Sequence, residues 1–207
     1  MFGKERNDSG KTTMLNIPNS LTLLRILLIP VLVIAYFWSS EKRELIITSV
    51  FVLAAVTDWL DGFLARKLNA TSMLGAFLDP VADKLIVSSA LVLLVSDSGV
   101  LARVFHPMPF AVAVCIIIGR EIVISALREW MAELGERGMV GVGVLGKVKT
   151  VFQMVSIGLL LYAKPIMGIP IFRVGEIAFY FAALLTLWSM WAYLKSAMPY
   201  LLEKPPE

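Results

Sequence analysis

The chain has 207 residues, 58% hydrophobic and 17% charged, with a mean hydropathy of +0.79, whereas water-soluble domains carry about 45–50% apolar and about 25% charged residues. That excess exceeds what a water-soluble core holds, and a formal net charge of only +3, dispersed along the chain, excludes a nucleic-acid footprint. One cysteine, Cys115, and one histidine, His106, can form neither an internal disulfide nor a Cys/His metal cluster.

Residues 1–13 are polar and read as a flexible N-terminal extension, with no small-residue cleavage site after the first apolar run. Residues 14–207 read as one domain. Asn16, Ile17, Pro18 and Asn19 open the first helix: Pro18 has no N–H to lose, and Asn19 or Ser20 can cap free backbone donors. Six apolar segments follow, at about 21–38, 45–66, 74–95, 108–127, 145–163 and 175–194. Each is close to the roughly 20 residues that cross a bilayer as a helix, so the expected fold is an all-α, polytopic membrane protein of six transmembrane helices. The separators are a charged turn at 39–44, a short polar turn at 69–72 and a polar stretch at 96–106. Residues 128–144, mixed-charge and then glycine-rich, suit an interfacial helix and a flexible link, and Pro165, Gly168 and Pro170 mark the last connection.

With both termini on the cytoplasmic side, that side holds Lys4, Arg6, Lys11, Arg66, Lys67, Arg128, Arg137, Lys147, Lys149, Lys195 and Lys204, against Lys42, Arg43, Arg103, Lys164 and Arg173 opposite. The excess of basic residues favours that orientation and puts the 69–72 turn in the cytoplasm.

Ionisable groups in membrane spans are costly and mark functional sites. Four carboxylates lie in the second and third segments, in Asp58-Trp59-Leu60-Asp61-Gly62-Phe63-Leu64-Ala65-Arg66 and Gly75-Ala76-Phe77-Leu78-Asp79-Pro80-Val81-Ala82-Asp83. Asp58, Asp61, Gly62 and Ala65 share one helix face, and Gly75, Asp79 and Asp83 share another. Both pairs, Asp58 with Asp83 and Asp61 with Asp79, are symmetric about residues 70–71. An antiparallel hairpin folded there brings the four carboxylates into one small volume. Their mutual repulsion calls for cations between them, and hard divalent ions that take oxygen ligands, Mg²⁺ or Mn²⁺, meet the need. A pair of such ions can clamp the attacking and leaving oxygens of a phosphoryl transfer. Gly62, Ala65 and Gly75 leave room beside the acids, Arg66 can bind phosphate, and Thr57 offers a hydroxyl, although a helical threonine more often bonds back to its own helix.

These residues fit D-x2-D-G-x2-A-R-x8-G-x3-D-x3-D at every fixed position, and the chain thereby resembles the CDP-alcohol phosphotransferase family. The resemblance implies a six-helix membrane enzyme, usually a homodimer, that transfers a phosphatidyl or similar group from a CDP-linked donor to an alcohol and releases CMP. It implies that Asp58, Asp61 and Asp79 bind the metals, two ions of Mg²⁺ or Mn²⁺, and that Asp83 both binds metal and acts as base. Thr57, Gly62, Ala65, Arg66 and Gly75 then face the nucleotide of the CDP-lipid.

A second, basic set bears on the acceptor. Arg120 and Arg128 are eight residues apart, about two turns on one face. Arg120 lies well inside an apolar run and needs an anionic partner, which Glu121 can supply. Gly146, Lys147, Lys149 and Thr150 open the fifth segment, where basic side chains and a helix N-terminus attract anions. Arg120, Arg128, Lys147, Lys149 and Thr150 together predict an acceptor that carries a phosphate. Asn16-Ile17-Pro18-Asn19 with Thr22 and Arg25, residues 55–84, Arg120 to Gly135, and Gly146 to Thr150 resemble the bacterial branch of the family that joins CDP-diacylglycerol to glycerol 3-phosphate. That implies a multi-pass protein of the inner membrane with its site facing the cytoplasm. Inositol phosphate as acceptor, a membrane prenyltransferase and a cation transporter are the rival readings. The first differs only through the resemblance, and the last explains buried acids but neither Gly62, Ala65 and Arg66 nor the basic set.

Overall fold

The computed structural model describes residues 17–68, 73–135 and 144–202. Within these helices the side chains of 17–19, 62–68, 73–77, 79, 80, 144, 145, 147, 201 and 202 lie outside the described residues, as does all of the 1–13 extension. Among the described residues the chain is all-helical, with one isolated bridge, Ile166 to Ile169, and no strand. The elements are α1 (Ile17–Phe37), α2 (Arg43–Leu68), α3 (Met73–Ser96), α4 (Ser98–Leu101), α5 (Pro107–Glu133), α6 (Val144–Tyr162) and α7 (Ile171–Leu202). Six long helices thus stand where the six apolar segments stand, and α4 is a single extra turn. Three of them, over Ser20–Phe37, Pro107–Glu133 and Ile171–Tyr200, are long and apolar enough to cross a membrane, and Val148–Tyr162 is a shorter apolar helix.

Two lengths depart from expectation. α5 runs on to Glu133, so residues 128–133 continue the fourth long helix and form no separate interfacial one. Nothing breaks the helix before Gly135, which sits in the left-handed region at φ +82. α7 starts four residues earlier and ends eight later than the 175–194 segment. The extra turns of the two helices are held by each other: Ile124, Leu127 and Met131 of α5 bury against Ala197 of α7, with Tyr193, Leu194 and Tyr200 alongside.

Helical periodicity decides which faces are buried. In α1 the buried stripe is Thr22, Arg25, Leu28, Leu32, Ala35 and Tyr36, while Leu23, Leu24, Leu27, Val31 and Ile34 point outward. The outward side is as apolar as the inward one, and the buried stripe carries the polar residues. That is the pattern of a helix surrounded by lipid rather than water. α1 packs against both α2 and α3 more extensively than, among the described residues, those two pack against each other. It therefore lies in the groove between them. In α2 the stripe Ile47, Phe51, Ala54, Thr57 and Asp61 is buried. α6 and α7 pack closely at Gly175, where an added Cβ would lie 2.8 Å from Leu159 Cβ and 3.1 Å from Leu160 N.

Asp97 ties the end of the bundle remote from the aspartates. It caps α4 through the N–H groups of Gly99 (2.8 Å) and Val100 (3.3 Å). It also accepts from Tyr36 Oη and Arg43 Nη2, both at 2.9 Å, joining the C-terminus of α1, the N-terminus of α2 and the α3–α4 junction. Partial burial pushes its carboxyl up, but these four donors outweigh that and hold it below its ordinary value. A depressed carboxyl contributes stability that is complete above its unfolded pKa, about 3.9, and is lost as pH falls through the folded value. Asp97→Ala is expected to cost about 1–2 kcal/mol, with the cost fading in acid below about pH 3.9. Thermal unfolding in detergent at pH 7 and pH 3 measures both.

Candidate active site

Arg25 organises the acidic half of the site. Its stripe on α1 turns the guanidinium into the groove between α2 and α3, where its side chain is 1% exposed. There Nη1 pairs with Asp58 Oδ1 at 3.2 Å and donates to Asp83 Oδ1, and Nη2 lies 3.6 Å from Asp61 Oδ2. Thr22, one turn earlier, donates from Oγ1 to Asp61 Oδ2 at 3.4 Å. Asp58 and Asp83, paired by the symmetry of the hairpin, do meet at one atom. Asp61 is the deeply buried member, at 5% exposure, against 49% and 41% for Asp58 and Asp83. Asp79 lies outside the described residues, so its pairing with Asp61 does too.

The cation expected between the carboxylates is, in part, a guanidinium from α1. Among the described residues no three acidic, histidine or cysteine side chains form a metal-ligand group by themselves. The donor set nevertheless suits a hard divalent cation. The groups that could hold one are carboxylate oxygens, drawn from two helices. Three carboxylates and one guanidinium leave a formal charge of −2.

The basic half is built on α5 and α6. The buried stripe of α5 runs Phe110, Ala113, Val114, Ile117, then Ile124, Leu127 and Met131, and Arg120 and Glu121 occupy the gap between Ile117 and Ile124. Glu121 Oε1 accepts from Arg120 Nη1 at 3.3 Å and also from Lys149 Nζ. One carboxylate thus serves two cations, and Arg120 Nε is buried with no acceptor among the described residues. Lys149 is 1% exposed. Lys84 of α3 donates to Ser125 Oγ of α5, which links the two halves.

A cavity of about 860 Å³ connects them. Arg25, Asp58, Asp83 and Lys84 line one part, and Arg120, Glu121, Arg128, Gly146 and Thr150 line another. A second, almost wholly apolar cavity of about 540 Å³ lies along α2 and α6 and shares Ala55, Trp59, Met154 and Val155 with the first.

The expected residues therefore divide. Asp58, Asp83, Arg120, Arg128 and Thr150 line the one cavity, with Asp61 and Lys149 buried beside it. Thr57 bonds back to the carbonyls of Leu53 (2.9 Å) and Ala54 (2.8 Å), and Thr150 to that of Gly146 (2.9 Å). The side chains of Gly62, Ala65, Arg66, Gly75 and Lys147 lie outside the described residues, although their backbones fall within α2, α3 and α6. Arg25, Lys84, Ser125, Gln153 and Tyr193 also belong to the cavity wall. Of these Arg25 was findable: an arginine inside an apolar segment demands an acidic partner for the same reason as Arg120.

The family described as CDP-alcohol phosphatidyltransferase matches residues 15–188. A protein of Sodalis glossinidius named CDP-diacylglycerol–glycerol-3-phosphate 3-phosphatidyltransferase is 48% identical over 183 residues, 88% of this chain and 95% of that protein. Proteins of the same name from Pectobacterium atrosepticum (47% identical, 91% and 98% covered) and Haemophilus influenzae (48%, 91% and 96%) are similar over the same length. The chain belongs to the CDP-alcohol phosphatidyltransferase family.

Removing one partner of a buried ion pair leaves the other charge uncompensated, at about 3–5 kcal/mol. Arg25→Met is expected to lose that much stability in metal-free protein, with Arg25→Lys losing less. Denaturant unfolding in detergent with a chelator checks this, and a loss under about 1 kcal/mol, the worth of an exposed pair, would show that Arg25 does not hold the acids together.

Proposed function

We propose that this enzyme transfers a phosphatidyl group from CDP-diacylglycerol to glycerol 3-phosphate, giving phosphatidylglycerophosphate and CMP in bacterial phospholipid synthesis. The names of the relatives supply the two substrates. The observation that carries the reading is the single cavity with carboxylates in one part and a basic group in another. A phosphorylated acceptor needs both, since its phosphate must be held while its hydroxyl reaches the acids. Arg120, whose Nε lacks an acceptor, Arg128, Lys147 and the N-terminal end of α6 at Gly146 and Thr150 are the groups for that phosphate. Lys149 acts through Glu121, holding it against Arg120.

Asp58, Asp61, Asp79 and Asp83 would hold Mg²⁺ or Mn²⁺, two ions by the family resemblance. Such ions, when bound, polarise a diphosphate and neutralise the departing CMP. The residues of the chain do the rest. Asp83 presents a partly exposed carboxylate to the cavity and takes the proton of the attacking hydroxyl. The new bond forms between that oxygen and the phosphorus bearing the diacylglycerol, and the bond from this phosphorus to the oxygen of CMP breaks. Arg25 orients Asp58 and Asp83 from below. Gly62, Ala65, Arg66, Gly75 and the neighbourhood of Thr57 receive the cytidine diphosphate, a role that rests on their match to the family signature. The apolar cavity along α2 and α6 offers a place for acyl chains beside the reacting phosphate.

Six spans with both termini in the cytoplasm, an inner-membrane location and a site open to the cytoplasm complete the reading. The distribution of basic residues and the apolar outer faces of the helices support it. A homodimer follows from the family resemblance.

Purified protein with Mg²⁺ or Mn²⁺ and CDP-diacylglycerol is expected to release CMP with glycerol 3-phosphate, and not with inositol phosphate or serine. Release with another acceptor alone would move the assignment, and none with any acceptor would return cation transport to consideration. Asp83→Asn should reduce turnover at least about 100-fold, the typical worth of a general base, while CDP-lipid binding is kept; equal loss of binding would remove the base role. Arg120→Ala should raise the KM for glycerol 3-phosphate much more than that for CDP-diacylglycerol, and steady-state kinetics with each substrate varied decides it.

A further inference from the structure

The buried face of α6 carries three polar side chains at helical spacing: Lys149, Gln153 and Ser156. Two are satisfied within the protein. Lys149 donates to Glu121, and Ser156 Oγ donates to the carbonyl of Gln153 at 2.9 Å. Gln153 is the exception. Its side chain is 3% exposed and lines the main cavity, and its Oε1, enclosed by protein atoms, has no hydrogen-bond partner among the described residues. An unpaired buried amide oxygen is costly unless something fills it.

The chemistry of this oxygen selects the partner it can take. Oε1 is an acceptor, so it needs a donor. Phosphate and diphosphate oxygens, which the arginines of this cavity suit, offer none. A hydroxyl does. Glycerol 3-phosphate has two hydroxyls: the one at the end of the chain attacks, and the one on the middle carbon takes no part in the bond exchange. Gln153 lies one turn beyond Lys149 and beside Thr150, on the helix that forms the basic half of the cavity rather than on α2 or α3, which carry the nucleotide signature. We propose that Gln153 is the specificity-determining residue for the acceptor, with its amide oxygen accepting from the middle hydroxyl. This orients the glycerol between the held phosphate and the carboxylates. The inference rests on the reading of the acceptor given above and names the contact that distinguishes it from simpler phosphorylated alcohols.

The test compares two acceptors in one CMP-release assay on full-length purified protein: glycerol 3-phosphate and 3-hydroxypropyl phosphate, which keeps the attacking hydroxyl and the phosphate but lacks the middle hydroxyl. The wild type is expected to favour glycerol 3-phosphate in kcat/KM by roughly 10-fold or more, the worth of one buried hydrogen bond. Gln153→Met should bring that ratio toward one. Gln153→Glu, which keeps an acceptor oxygen, should preserve most of it. Because the ratio is taken within one preparation, the fraction of folded protein cancels. A wild-type ratio near one overturns the proposal, as does an unchanged ratio in Gln153→Met. Should the methionine variant not be purifiable, Gln153→Leu takes its place with the same reading: a ratio moved toward one supports the contact and an unchanged ratio overturns it. A variant that raises the KM for CDP-diacylglycerol with the ratio intact assigns Gln153 to the nucleotide instead, and overturns it too. Failure of the wild type to use glycerol 3-phosphate at all would refute the proposed function, a result distinct from any of these.

Discussion

One buried cation governs the arrangement of this bundle. Arg25 cannot face lipid, and no water surrounds it in the groove between α2 and α3, so it must find carboxylates. Asp58, Asp61 and Asp83 supply them. Satisfying that demand draws α1 between α2 and α3, and those three helices become one wall of the cavity. The acids in turn need Arg25, since three carboxylates that close would otherwise repel. Packing and electrostatics therefore require the same geometry, which is a stronger constraint than either alone.

The opposite wall follows the same logic with the signs reversed. Arg120 and Lys149 approach each other across α5 and α6 because Glu121 accepts from both. A single acid between two bases leaves positive charge over, and that charge faces the cavity. In both walls the polar residues occupy the buried stripe while the outer face is leucine, isoleucine, valine and tryptophan. That distribution suits a bilayer, because apolar surface outside costs nothing in lipid and helices gain specificity by hydrogen-bonding inside.

Much of this was legible from residue order. The number and places of the six long helices follow from apolar runs of membrane-crossing length. The meeting of Asp58 with Asp83 follows from their symmetry about the 69–72 turn, and the pairing of Arg120 follows from its isolation in an apolar run. The lengths of α5 and α7 were not legible. Residues 128–133 carry three charges and 195–202 a lysine and Pro199, which makes both resemble connections, and they stay helical because Met131 and Ala197 bury against one another across the two helices. Nor was the short turn α4, which depends on Asp97 gathering donors from Tyr36 and Arg43, more than fifty residues away.

The aspartates show most plainly where the two kinds of information divide. Sequence alone supplied the expectation that Asp58, Asp61, Gly62, Ala65, Arg66, Gly75, Asp79 and Asp83 form one chemical unit, because helical periodicity and the hairpin bring the aspartate-bearing faces together. It also determined that this unit asks for positive charge. Only the tertiary structure decided that part of that charge is Arg25, and that Gln153, a residue of the cavity wall, has a buried amide oxygen without a partner among the described residues. Both depend on contacts between helices far apart in the chain, where the partner of a buried polar group is set by which faces pack together and not by spacing along any one of them.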